Sequence, residues 1–229
     1  MGEKKQKEES GRKLRKILIV IACVFFAVVM VVSSMGSGWI TSLRAIQPGD
    51  AVVLDYTLYD VMGNPVVTSD QQLWKQKMAA GQGIVLSKQI SLTSNESLYK
   101  SVYPVQVYST QTGWDNSFAL FSPEFEALSS GTVGMKVHET RKVVIPEKAP
   151  MTQTWPAASL ARQNMSVADL HVGDRLAMGV SDNPESATDN TTAVTYVRMA
   201  DVTNVSSREV VVNFGYPAAD LSIVSINGR

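Results

Sequence analysis

The chain has 229 residues, of which 45% are hydrophobic and 7% aromatic, and it carries no net charge. This composition is ordinary for one large folded domain or two small ones. Seven Lys/Arg and three Glu lie in the first sixteen residues, so the remainder has a net charge of −4. An acidic body with few aromatic residues is a poor match for a phosphate backbone, and we expect no nucleic-acid partner.

The first predicted element is a membrane anchor over residues 17–43, which contain no charged residue. A helix needs about 20 apolar residues to cross the hydrocarbon core of a bilayer. Basic residues flanking such a helix stay in the cytoplasm, so residues 1–16 would form a cytoplasmic tail and residues 44–229 an extracytoplasmic domain. A cleaved signal peptide is the alternative, since the Ser- and Gly-rich residues 33–38 offer a cleavage site.

The cysteine and the asparagines agree with this location at the cell membrane. Cys23 is the only cysteine and lies inside the predicted anchor, so the outer domain has no disulfide and no thiol chemistry. Four Asn-x-Ser/Thr sequences are compatible with a location outside the membrane, at Asn95, Asn164, Asn190 and Asn204.

Period-two alternation of apolar and polar residues over 51–59 predicts a strand with one buried face. A turn over residues 60–65 follows, and Val66 and Val67 begin a short return strand. Asp70 is predicted to cap a helix that ends at Gly81. Residues 82–118 are polar with short apolar runs, and no element is assigned to them.

A second helix is predicted to start at Ser122 as N-cap, with Pro123 in its first turn, and to end at Gly131. The later elements are a strand over 140–145, a Pro-rich connection over 146–156, a short turn or helix over 166–170, and strands over 193–204, 208–214 and 221–226. Strands with one or two short helices indicate the α+β class.

Motifs for covalent or metal chemistry are missing from the sequence. It has no nucleophile elbow and no phosphate-binding loop. The two histidines, His138 and His171, lack Cys or acidic neighbours at ligand spacing, so we expect no metal and no cofactor. An enzyme built from this chain would work without a nucleophile.

In this order, residues 49–58, 63–69, 125–146 and 213–219 resemble segments of the FKBP family of peptidyl-prolyl isomerases. The likeness is to the archaeal and bacterial two-domain kind with an inserted chaperone lobe. The resemblance implies a curved antiparallel sheet wrapped on a short helix, with a β-rich lobe inserted at about residues 151–212. Residues 70–118 form a further insertion, because the spacing between matching segments is longer than usual there.

The resemblance also implies an isomerase and chaperone for proline-containing or unfolded polypeptides outside the cell membrane. Such an enzyme lowers the barrier of about 18–20 kcal/mol to X-Pro rotation by holding the twisted bond in a dry apolar pocket. The positions that match the family's substrate pocket are Tyr56, Val66, Val67, Phe125, Pro150 and Ile223.

The sequence departs from the family where polar groups contact the substrate. Val67 replaces the family's pocket Asp, Pro150 lies near the position of its flap Tyr, and His138 replaces a Gly. Two alternatives therefore stand beside the isomerase: an FKBP-like binding or scaffold domain without catalysis, and an unrelated envelope interaction protein. In the last case the apolar positions would be ordinary core residues.

Overall fold

A computed structural model describes residues 3–34, 44–146, 151–162, 164–181 and 195–227, and the chain forms two compact units, Met1–Arg44 and Ala45–Arg229. The first unit contains one helix, α1 (Glu3–Ser34), on which large apolar side chains such as Phe25 and Met30 are exposed. Within the described residues, no helix combines the length and the apolar character needed to cross a bilayer.

The second unit belongs to the α+β class, as predicted, with two mixed sheets among the described residues. The first sheet contains β1 (Ala51–Tyr59), β2 (Pro65–Thr68), β3 (Val85–Leu86), β4 (Ile90–Thr93), β7 (Thr140–Val144) and β12 (Ala218–Asn227). The second contains β5 (Val102–Ser109), β6 (Gly113–Phe121), β8 (Thr152–Pro156), β9 (Arg175–Ser181), β10 (Thr195–Val205) and β11 (Glu209–Asn213). The helices are α2 (Gln71–Ala79), α3 (Ser122–Gly131) and α4 (Ala157–Arg162), with a 3₁₀ turn at Val167–Asp169.

The first sheet has the order β3-β2-β1-β12-β7, with β4 also paired to β1. β1 pairs with β12 along its whole length, from Ala51 opposite Asn227 to Tyr59 opposite Ala218. Along β1, Val52, Leu54 and Tyr56 are buried, as the alternation predicted. β2 and β3 are parallel, however, so the sheet is mixed and the expectation of a purely antiparallel sheet was wrong.

The N-cap of α2 is Asp70, as predicted, whereas the N-cap of α3 is Phe121 and not the predicted Ser122. Asp70 Oδ1 accepts hydrogen bonds from the backbone N–H groups of Gln72 and Leu73, at 2.7 and 3.2 Å. In α3, Ser122 is the first helical residue, because β6 runs straight into the helix at Phe121. Glu124 Oε2 accepts from the Phe121 N–H instead, at 2.9 Å.

The second sheet joins the two segments predicted as separate insertions. β5 and most of β6 come from the unassigned residues 82–118, and β6 pairs in parallel with β10 at Phe118 opposite Val197. β8 occupies much of the predicted Pro-rich connection, and β9 was not predicted at all. The sheet order is β5-β6-β10-β11-β8, with β9 paired to β10.

Two apolar cores hold this unit together. The larger core lies where α3 packs against β5, β6, β7 and β12. The smaller core lies under α4 and is built on Leu160, Val202, Val210 and Val212. Because side chains from β5 and β6 also enter the larger core, the two sheets share it.

Candidate functional site

The predicted pocket residues come together in the larger core. Tyr56 of β1, Val66 and Val67 of β2, Phe125 of α3 and Ile223 of β12 belong to one cluster, and none is more than 2% exposed. Pro150 lies outside the described residues. The five described positions therefore form a closed apolar core.

Phe125 is covered by the hairpin of β5 and β6. The Tyr103 ring of β5 packs on the Phe125 ring with 4.7 Å between centroids and 33° between planes. Tyr103 is itself half-buried against the same core. This strand comes from residues 70–118, the predicted further insertion, so part of that segment packs directly on Phe125.

Two buried hydroxyls interrupt this apolar core. Tyr56 Oη and Ser87 Oγ are the buried side-chain polar atoms, among the described residues, that lack a hydrogen-bond partner. Burial raises the pKa of Tyr56, while the nearby Ser87 hydroxyl acts in the opposite direction. The two groups therefore interact without meeting hydrogen-bond geometry. An unpaired buried hydroxyl costs about 1–3 kcal/mol of stability.

A buried ion pair joins the second sheet to α3. The guanidinium of Arg198, on β10, donates to both carboxylate oxygens of Glu124 and to the carbonyl oxygens of Ala119 and Phe214. Burial favours the neutral form of Arg198, but the carboxylate of Glu124 outweighs it and the pKa of Arg198 is raised.

Aromatic rings complete the surroundings of Arg198. Its guanidinium carbon lies 4.2 Å from the ring centroid of Phe121 and 4.0 Å from that of Tyr216. Cation–π contacts of this kind strengthen when water is excluded. Sequence reasoning missed this site, although one signal was present: a single Arg within the apolar run of β10.

A second arginine holds β9 against the β1–β2 turn. Arg175 Nε donates to Asp201 at 2.8 Å, and its terminal nitrogens donate to Asp60 at 3.0 Å and to the Pro65 carbonyl at 3.1 Å. Burial raises the pKa of Asp201, and Arg175 opposes that shift. Arg175 therefore joins the second sheet to the β1–β2 turn of the first sheet, whereas Arg198 joins it to α3.

An open depression of about 840 Å³ lies on the polar face of the first sheet. Its floor includes Asp55, Thr57 and Tyr59 of β1 and Asp220 of β12. Tyr59 Oη donates to Asp220 Oδ2 at 2.7 Å, and burial together with this carboxylate raises the pKa of Tyr59 to about 12. Carboxylates and basic groups mix on this surface, which gives it no single charge preference.

The described residues form no cluster of three His, Cys, Asp or Glu side chains that suits a metal ion. Fold and core thus define an α+β domain of two mixed sheets, with the predicted pocket residues enclosed between a helix and a covering hairpin. No family model matches the chain, and no curated protein is significantly similar to it.

Proposed function

We propose that this chain is a membrane-anchored, FKBP-like domain that binds proline-containing or unfolded polypeptides outside the cell membrane without isomerising prolyl bonds. The observation that carries the proposal is the enclosure of the pocket positions, none of which is more than 2% exposed. An isomerase must hold the twisted bond in a pocket that the substrate can enter. Phe125, covered by Tyr103, offers no such entry.

The FKBP-like part of the proposal is supported by topology and by one backbone angle. α3 packs on β7 and β12 of the first sheet, and the strands β8 to β11 lie in sequence between β7 and β12, where the resemblance implies an inserted lobe. His138 stands where the family has a Gly, and its φ is +66°, a conformation that favours Gly.

The anchor is supported by the sequence. Residues 17–43 contain no charge, and this uncharged run extends beyond α1 into residues 35–43, which lie outside the described residues. Residues 1–16 are basic, as expected for a cytoplasmic flank. Alkaline carbonate extraction of membranes tests the anchor: the full chain should stay in the membrane fraction, and its release would refute the proposal.

The edge strand β8 is the surface best suited to an extended client. Among the described strands, β8 pairs only with β11, and no described strand lies at its other edge. Trp155 and Pro156 of this strand, with Leu160 of α4, contribute the apolar part of a depression of about 250 Å³, which Gln153, Thr154 and Ser159 line with polar groups. Strand addition with a side-chain pocket is a common way to hold extended peptides.

Two assays on residues 44–229 test the proposed function. In refolding of a proline-limited protein, the domain should give no acceleration, and Phe125→Ala should change nothing. In thermal aggregation of an unfolded client, the domain should suppress aggregation, and Trp155→Ala should weaken this effect. Tyr99→Ala, at a fully exposed tyrosine of another segment, is the matched control. Acceleration that Phe125→Ala abolishes would overturn the binding-only function.

The isomerase and chaperone function is a second candidate, favoured by the unpaired hydroxyls of Tyr56 and Ser87. These would accept a substrate polar group if Tyr103 moved off Phe125. Tyr103→Ala tests this, because it removes the covering ring. A gain of prolyl isomerisation in this variant would support an isomerase whose pocket is closed, and an inactive folded variant would exclude it.

A further inference from the structure

A surface cluster of aromatic and basic side chains lies on the covering hairpin and α2, away from the residues used above. Trp74 of α2 contacts Tyr108 of β5 edge-on at 6.5 Å between centroids, and Tyr108 contacts Trp114 of β6 at 5.6 Å. Lys88 Nζ lies 5.3 Å from the Trp114 ring centroid. We refer to the apolar side chains of Trp74, Met78, Tyr108 and Trp114, together with Lys75, Lys77 and Lys88, as the aromatic–basic patch.

Several large apolar side chains of the patch face water, which is energetically unfavourable. Tyr108 and Trp114 are each 41% exposed, and Met78 is also exposed. Large apolar side chains grouped on a surface mark interaction sites, because each loses free energy by facing water. Since the three rings contact one another, they form one continuous feature.

The charge of the patch is opposite to that of the domain. Lys75 and Lys77 flank Trp74 on α2, which has no acidic residue of its own. In the part of the chain that the structure describes, no carboxylate forms an ion pair with Lys75, Lys77 or Lys88. Asp70 caps α2 and Asp115 follows Trp114, so three lysines stand beside two acids in these segments. This local excess of positive charge, on a body that carries −4, favours an anionic partner.

We propose that the aromatic–basic patch docks onto the anionic headgroup layer of a phospholipid membrane. Tyr and Trp prefer this layer because their rings are apolar with one polar tip, and lysines reach its phosphates. The neighbouring rings stand at 79° and 63° to one another, so they do not form the flat platform on which sugars stack.

The inference rests on the proposed anchor for its biological setting. The proposed anchor ends at residue 43 and the compact domain begins at Ala45, so the sequence leaves almost no linker between them. A domain tethered that closely meets the membrane surface at a high effective concentration, so a weak headgroup contact is enough to orient it.

Flotation of residues 44–229 with vesicles tests the patch independently of the anchor. The unit Ala45–Arg229 is compact and has its own core, and circular dichroism melting verifies the fold of each variant. The domain should float with phosphatidylcholine vesicles that contain phosphatidylglycerol, and much less with phosphatidylcholine alone. Added salt should weaken binding, because it screens the lysines.

Two patch variants and two matched controls make the test specific. Lys75→Glu with Lys77→Glu should lower the vesicle partition coefficient by about tenfold or more, and Trp114→Ala by about fivefold. Lys136→Glu and Tyr99→Ala make the same kinds of change at exposed positions outside the patch and should leave binding unchanged.

Three outcomes would overturn the proposal. They are no binding to phosphatidylglycerol vesicles, equal binding to both lipids, and equal loss in the control variants. Binding of soluble glycan chains that depends on Trp114, without vesicle binding, would also overturn it and assign the patch to sugars. A failed carbonate extraction test with intact vesicle binding would refute the anchor and leave the patch standing.

Discussion

Arg198 and Glu124 form an enclosed ion pair although 74 positions separate them along the chain. Arg198 is 0% exposed and Glu124 3% exposed, and the carboxylate also accepts the N–H that begins α3. Glu124 therefore caps the helix that carries Phe125 and also pairs with the arginine of the second sheet. The attachment of the inserted lobe and the geometry of the predicted pocket depend on the same side chain.

Removing the arginine should cost a large part of the stability of the domain. Arg198→Met leaves the Glu124 carboxylate buried without its cation, so we expect the free energy of unfolding to fall by about 3–5 kcal/mol. Urea unfolding of residues 44–229 measures this. Arg208→Met, at an exposed arginine that forms no ion pair within the described residues, is the control and should change little. The double variant Arg198→Met/Glu124→Leu should recover much of the loss, and equal losses in both variants would contradict this account.

Gly131 at the end of α3 should not tolerate alanine. A Cβ there would lie 2.6 Å from Val143 Cγ1 and 2.9 Å from Leu221 Cδ1, so the helix and the sheet would be forced apart. We expect Gly131→Ala to lower the free energy of unfolding by about 1–3 kcal/mol, although alanine usually stabilises helices. Gly83→Ala is the matched control, because its Cβ would meet open space. An unchanged or higher melting temperature for Gly131→Ala would refute this close packing.

Replacing each of two buried tyrosines by phenylalanine should change the free energy of unfolding in opposite directions. The hydroxyl of Tyr56 has no partner, whereas the hydroxyl of Tyr216 donates to the Met199 carbonyl at 2.9 Å. Tyr56→Phe should therefore raise the free energy of unfolding by about 1 kcal/mol, and Tyr216→Phe should lower it by about the same amount. Urea unfolding of both variants under one condition gives the comparison. Destabilisation by Tyr56→Phe would mean that its hydroxyl has a partner.

Tyr59 should make stability depend on alkaline pH. Burial and then Asp220 raise its pKa from 10.0 to about 12, so the folded protein keeps the phenol proton after the unfolded chain has lost it. The contribution is complete below pH 10 and is lost as the pH rises through about 12. Tyr59→Phe should remove this part of the pH dependence. Spectrophotometric titration of Asp220→Asn should show the Tyr59 pKa moving toward 10, and no movement would argue against the hydrogen bond.

Local rules were enough for the elements with strong periodicity or a defined start. Each of these signals involves only residues close together in the sequence. They are the alternation over β1, the Asp70 cap of α2 and Pro123 in the first turn of α3. The error at Ser122 has the same origin, because a serine before a proline is a good cap unless a strand continues into the helix. The local sequence pattern does not show where the preceding strand ends.

The closed pocket and the joint between the sheets depend on contacts that no local pattern encodes. Residues 82–118 gave no assignment because β3 and β4 are short and pair with β2 and β1, and because polar residues break up the apolar pattern of the β5–β6 hairpin. Tyr103, which covers Phe125, comes from that segment. Likewise, nothing near Arg198 in the sequence indicates Glu124 as its partner, although an arginine within an apolar strand predicts that some buried acid exists.

The pairing of β1 with β12 has a consequence for how the molecule is made. The first strand of the domain finds its full-length partner only in the last one, and Tyr59 bonds to a residue 161 positions later. Until synthesis reaches β12, the first sheet lacks a central strand, and until β10 is made, the acid at the start of α3 has no cation. The emerging chain therefore cannot complete the first sheet before β12 has been made.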